Sequence, residues 1–187
     1  PHGITLLKCK FDGEIVAMDA HIVGLFSLSD SHLLAGLRAD RLQCDRGVIL
    51  QGGFQAVGKV RLTGAKIGGD LDCTDGKFEC KNSDALLADY AVITGSVYLR
   101  GQFKAASTVS LSGTQISGDL ACSGGQFAAQ KGSALVANRA VIQGDVVFRN
   151  QFQAICAVEL VHVQIGGGLD CRHGRFASNG RIALCLQ

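Results

Sequence analysis

Residues 60–73 read V-R-L-T-G-A-K-I-G-G-D-L-D-C, and the phrase returns as V-S-L-S-G-T-Q-I-S-G-D-L-A-C at 109–122 and V-E-L-V-H-V-Q-I-G-G-G-L-D-C at 158–171, 49 residues apart each time. A weaker cousin lies between the copies, A-V-I-T-G-S-V-Y-L at 91–99 and A-V-I-Q-G-D-V-V-F at 140–148. The unit is thus two half-units, with Ile67, Ile93, Ile116, Ile142 and Ile165 separated by 26, 23, 26 and 23 residues. A period of this size marks a repeat architecture, in which each unit leaves an apolar face that only its neighbours can cover. The 187 residues are therefore expected to form one elongated domain.

Within one unit the apolar residues come as alternating pairs about five residues apart: Val60/Leu62, Ala65/Ile67, Leu71/Cys73 and Gly76/Phe78. Period-two alternation broken at regular corners predicts four short strands per coil, with every second side chain pointing inward. The fold class expected is all-β, a parallel β-helix of about seven coils alternating between 23 and 26 residues, or roughly 34 Å of solenoid. The pattern reads outward as Leu37/Ala39, Leu42/Cys44, Val48/Leu50 and Gly52/Phe54, and as Ile15/Ala17, Ala20/Ile22, Phe26/Leu28 and Ser31/Leu33. Residues 1–14 are expected to be a partial coil or cap, 15–176 regular coils and 177–187 an unfinished coil. The polar, Gly/Ser-rich stretches 79–85, 128–134 and 177–181 should project as loops from one corner. A short helix near 30–37 is the alternative for the ambiguous L-L-A-G-L. Gly69, Gly95, Gly118, Gly144 and Gly167 follow the Ile column by two residues and should turn a corner in a conformation suited to glycine.

Composition narrows the core and the compartment. With 47% apolar residues, few aromatics and no Trp, the core must be a narrow one of Leu, Ile, Val, Ala and Cys. Cys73, Cys122 and Cys171 occupy one equivalent position two coils apart, about 9.6 Å, whereas a disulfide needs Cα atoms within about 7 Å. They read as buried thiols of a reducing compartment, which places the protein in the cytoplasm. The net charge of +2 makes no case for nucleic acid or for an acidic DNA mimic, and no apolar run approaches the roughly 20 residues of a membrane span.

The five-residue stepping, with small residues two before a large aliphatic (Ala65/Ile67, Ala91/Ile93, Ala140/Ile142), resembles the pentapeptide-repeat proteins. That resemblance implies a right-handed quadrilateral β-helix. The longer phrase G-x-V-x-L-x-G-A-x-I-x-G-D-L-x-C looks like bacterial repeat proteins that often carry the label "membrane-associated oxidoreductase". That label brings no residues with it here, since the chain has neither G-x-G-x-x-G between a strand and a helix nor C-x-x-C. The chain departs from strict five-residue stepping between Ile67 and Cys73 and at the inserted loops.

In a stack of coils, chemistry would surface as outward columns. Asp70, Asp119 and Asp145 share one, with Asp119 and Asp145 on adjacent coils about 5 Å apart, near the carboxylate spacing of retaining glycosidases. The plainer reading is that each Asp caps backbone N–H groups at a corner. Arg100, Arg149 and Arg172 form a second column, interrupted by Ser123; Arg149 and Arg172 could clamp a phosphate or a carboxylated sugar, or be surface charges that discourage edge pairing. Ile49, Asp72, Tyr98, Ala121, Val147 and Asp170 make a column with little polarity, and Val92 and Val141 alternate with Lys66, Gln115 and Gln164. These are the interface candidates. His162 and His173 lie at different corners of one coil, so no metal site, cofactor or catalytic constellation is expected.

The function expected is a non-catalytic solenoid scaffold that presents a flat face and edge loops to a protein partner or to a second copy. The alternatives are a carbohydrate-active enzyme using Asp119, Asp145, Arg149 and Arg172 and, as in some pentapeptide-repeat proteins, a topoisomerase-protecting DNA mimic, which the charge disfavours. Both ends interrupt a coil and the chain opens on Pro1, so end-to-end dimerisation or a longer parent chain is expected.

Overall fold

The computed structural model describes residues 3–80, 83–178 and 180–187, and among them it contains strands and turns but no helix. The chain winds into a parallel β-solenoid of about eight turns, most of them made of four short strands. We number the walls in the order the chain visits them. Wall 1 includes Val60–Arg61, wall 2 Lys66–Ile67, wall 3 Leu71–Asp72 and wall 4 Lys77–Phe78. Walls 2 and 3 are separate sheets of seven and eight strands, and walls 1 and 4 join into one sheet of fourteen. The Ile column is aligned as the repeat requires: Ile67 pairs with Ile93, Ile93 with Ile116, Ile116 with Ile142 and Ile142 with Ile165. Among the described residues no helix is long and apolar enough to cross a membrane.

The two half-units solve one volume problem in two ways. In one type of turn wall 4 offers a glycine and then a phenylalanine inward, as at Gly76/Phe78 and Gly125/Phe127. In the other it offers Phe54/Ala56, Phe103/Ala105 or Phe152/Ala154, with Ala56 in register with Phe78. The rings consequently stagger into a ladder from Phe54 through Phe78, Phe103, Phe127 and Phe152 to Phe176, with centroids 5.1–5.4 Å apart. Glycine is needed before each advanced ring, because a Cβ on Gly76, Gly125 or Gly174 would lie within 2.8 Å of the carbonyl oxygen of Leu50, Leu99 or Phe148 in the turn below, with the ring itself close behind. Wall 3 compensates as well: Cys73 and Cys122 stand in the glycine-type turns, while Leu50, Leu99 and Phe148 stand in the others. The cysteine column is thus a size requirement of a close-packed interior, and all eight thiols are free.

The corners correct three expectations. The column Gly69, Gly95, Gly118, Gly144 and Gly167 is not left-handed; its glycines are required because a Cβ on Gly95, Gly144 or Gly167 would overlap the Asp side chain of the turn below. The left-handed corners lie diagonally opposite one another. Between walls 1 and 2 they are made by Asp19, Arg41, Gly64, Tyr90, Gly113, Arg139 and His162, and between walls 3 and 4 by residues such as Asp30, Gly52, Asp75, Gly101 and His173. Gly52 is therefore a corner residue at φ 67°, and the inward pair of its wall is Phe54/Ala56, not Gly52/Phe54. Residues 128–134 do not leave the body as a free loop. Gln126–Val136 is one strand that wraps from wall 4 to wall 1 and pairs with Gln153–Glu159, taking up the surplus as a bulge between Ala128 and Ser133. The expected loops at 79–85 and 177–181 lie partly outside the described residues, and 30–37 holds the strands His32–Leu33 and Leu37–Arg38 instead of a helix.

Candidate functional site

The acidic column is built into the scaffold. The Ser96 N–H donates to Asp70 Oδ1 (2.7 Å), the Asp145 N–H to Asp119 Oδ1 (2.8 Å) and the Gly168 N–H to Asp145 Oδ1 (2.7 Å). Ser96 fills the remaining step, its Oγ accepting from the Asp119 N–H at 3.0 Å. Each side chain thus satisfies a corner donor of the turn above that the strands leave free.

The Arg column is similarly engaged. Arg172 grips Asp170 with both arms, Nε to Oδ1 at 3.0 Å and Nη2 to Oδ2 at 2.8 Å, and Arg149 Nη1 reaches the same Oδ2 at 3.3 Å. The Arg172 hydrogen bonds hold the Asp170 carboxyl well below the usual carboxylate range, and the nearby positive charges of Arg172 and Arg149 act in the same direction. Arg100 lies 4.0 Å above the Tyr98 ring.

Of the interface candidates, Ile49, Tyr98, Ala121 and Val147 run in register up wall 3 and are half-buried. Val92 and Val141 sit on wall 2 with Gln115 between them. Near Val92 a shallow depression of about 420 Å³ opens beside Lys66 and Gly68. His162 and His173 stand at the two diagonal corners and do not converge. Among the described residues no cluster of His, Cys, Asp and Glu could hold a metal ion. Burial pushes the Cys73 and Cys122 thiols up, away from the reactive thiolate.

Two surfaces escape a reading based on the Ile column. The first is wall 4, whose outward column runs Lys10, His32, Gln55, Lys77, Lys104, Gln126, Gln153, Arg175. No acid interrupts it, and Lys77 and Lys104 are direct neighbours. Beside it Leu34, Val57 and Ile155 are each 45–49% exposed. Among the described residues Lys77, Lys104 and Arg175 take part in no ion pair. Glu79, the nearest acid in register, accepts from Gln55 Nε2 at 2.7 Å. Pairing Gly52 with Phe54 hides this column, because it turns Gly53 outward in place of Gln55.

The second surface is a groove of about 390 Å³ on the corner between walls 1 and 2, lined by Tyr90, Ser112, Gly113, Asn138, Arg139 and His162 among others. Positive φ at Tyr90, Arg139 and His162 (57°, 58° and 55°) turns these side chains out at the corner. Such a conformation is uncommon for Tyr and Arg, and the sequence signal for it is a large residue where Gly64 and Gly113 stand in other turns. The Tyr90 ring lies across Gly113, where a Cβ would come within 2.7 Å of Cδ1 and Cε1. The polar floor is already satisfied: Asn138 donates to Glu159 Oε2 (3.0 Å) and accepts from the Val161 N–H (2.8 Å), while Asp89 accepts from the Ser112 N–H (2.9 Å). No family model matches this chain, nor does any curated protein or solved structure.

Proposed function

We propose that the protein is a non-catalytic β-solenoid, built like the pentapeptide-repeat proteins it resembles, that docks an acidic protein surface along wall 4. The observation that carries this reading is the column of Lys77, Lys104, Gln126, Gln153 and Arg175, which no acid interrupts, with exposed Ile155 beside it. Unpaired cations steer an acidic partner, and exposed Ile155 beside them gives it an apolar contact to bury. A flat wall of eight rungs at about 4.8 Å each offers roughly 34 Å of such surface. Hydrolysis ranks below binding because Asp119 and Asp145 each hold a backbone N–H, and Arg149 and Arg172 share Asp170.

The test compares wild type with Lys77→Glu/Lys104→Glu as bait, at low and high salt, with Lys66→Glu on wall 2 as the control. An acidic protein retained by wild type and the control but lost with the double variant and at high salt supports wall 4. Retention indifferent to the double variant sinks it. Sedimentation of each variant separates loss of a partner from loss of self-association.

A further inference from the structure

We infer that the groove on the corner between walls 1 and 2 is a binding site for a small organic anion that carries a ring, with its carboxylate or phosphate on Arg139 and its ring against Tyr90. The corner column itself supplies the comparison. Two turns from the amino-terminal end, the same positions hold Asp19 and Arg41, locked together through Nε–Oδ1 and Nη2–Oδ2 contacts of 2.6 Å each. Where the column reaches Arg139 its neighbours are Gly113 and His162, and among the described residues Arg139 takes part in neither an ion pair nor a side-chain hydrogen bond. A guanidinium presents a planar fork matched to carboxylate or phosphate oxygens, and here that fork is unused.

The glycine in the next turn down makes room for the second half of the ligand. Gly113 leaves a step in the ridge, the Tyr90 ring drops over it, and the ring is still 68% exposed. Tyr90 and Arg139 are two turns apart, about 9.6 Å, with His162 about one turn further. That span suits one ring plus one charged group, and the volume of about 390 Å³ admits a ligand of that size. A ring packs on Tyr90 whether it is a sugar presenting its C–H face or a nucleobase. The flanking acids have other partners than Arg139: Asp89 accepts from Ser110 and the Ser112 N–H, and Glu159 from Ser133 and Asn138. Positive φ at Tyr90, Arg139 and His162 is the conformation of every turn at this corner, shared with Asp19 and Arg41, and it sets the three side chains along the groove. The inference does not depend on wall 4.

The test is calorimetric and NMR titration of the whole chain with D-glucuronate, adenosine monophosphate, inorganic phosphate and D-glucose, at low salt. Saturable binding of glucuronate or the nucleotide at about 1 mM or tighter is expected, weaker for phosphate and absent for glucose. Whichever of the two binds identifies the ring as sugar or base. Arg139→Gln should weaken binding about tenfold or more with its thermal melt unchanged, Tyr90→Gly should weaken it without abolishing the phosphate contact, and Lys77→Gln/Lys104→Gln should leave it intact. The inference is overturned if neither ring-bearing anion binds by 10 mM, roughly ten times the expected constant. Binding of phosphate as tight as either of them, or binding that survives Arg139→Gln, overturns it equally.

Discussion

Two corners of the same solenoid use polar residues in opposite ways. Between walls 2 and 3, Asp70, Ser96, Asp119 and Asp145 form a ladder in which every turn holds a backbone N–H of the next, and the glycine beside each rung exists to let the side chain in. Between walls 1 and 2, the side chains of Tyr90, Arg139 and His162 stand at left-handed positions and, among the described residues, make no hydrogen bond across the turns. The contrast teaches that a column of repeated charge is weak evidence for a site in a solenoid. Repetition is what a structural ladder needs, because every turn has the same orphan donor. A binding site needs the repetition to be broken, as it is where Tyr90, Gly113, Arg139 and His162 succeed one another.

The largest effect expected from this contrast is on stability. In Gly144→Ala the new Cβ overlaps Asp119 Oδ1 and lies 2.8 Å from the Gly118 carbonyl oxygen, so both the ladder and the backbone must shift. A loss of about 1–3 kcal/mol, read as a lower urea midpoint, is expected. Gly113→Ala on the other corner meets only the exposed Tyr90 ring, which can swing away; its cost should be about 1 kcal/mol, chiefly the price of φ 64° for a residue with a Cβ. If the two substitutions cost the same, the ladder is no more constrained than the groove.

A smaller effect separates the charged residues themselves. Asp119→Ala strands the Asp145 N–H and should cost about 1 kcal/mol, softened by the partial access of water to the corner. Arg139→Gln should change stability by no more than about 0.5 kcal/mol, because nothing in the fold leans on it. Matched denaturation curves for the two variants decide the issue, and a destabilising Arg139→Gln would make the groove part of the scaffold.

These two corners also mark how far the sequence can be read. The Ile column, the alternating pairs of walls 1 to 3 and the thiols at 49-residue intervals were legible because inward positions must repeat in size and polarity. The Asp capping ladder was legible as one of two readings of Asp70, Asp119 and Asp145. The register of wall 4 was not, since Phe54 and Phe78 look equivalent in sequence while their rings enter from positions two residues apart. That offset concealed Gln55 and, with it, the outward cationic column. Tyr90 and Arg139 were overlooked for another reason: left-handed corners favour Gly, Asn and Asp, so their only sequence signal is a large residue where Gly64 and Gly113 stand in other turns.

The smallest effect concerns Arg149 and Arg172, the pair whose spacing suggested a clamp for an external anion. Asp170 already sits between them, and its carboxyl is held far below the ordinary value of about 3.9. Because the folded-state value is the depressed one, the stabilisation is fully present above about pH 4 and disappears as pH falls through the folded value. Arg172→Gln removes the main cause, so carbon-13 NMR should find the Asp170 carboxyl titrating nearer its ordinary range in that variant than in wild type. The denaturation midpoints of the two proteins should differ slightly at neutral pH and draw together as pH is lowered from about 5 toward about 2. The difference is small because the Arg172 side chain is 74% exposed, where screening leaves an ion pair little net worth. Midpoints that stay apart at the acid end would mean that Arg172 stabilises through packing of its stem. An Asp170 that titrates normally in wild type would mean that its two guanidiniums are free after all, returning Arg149 and Arg172 to the same standing as Arg139.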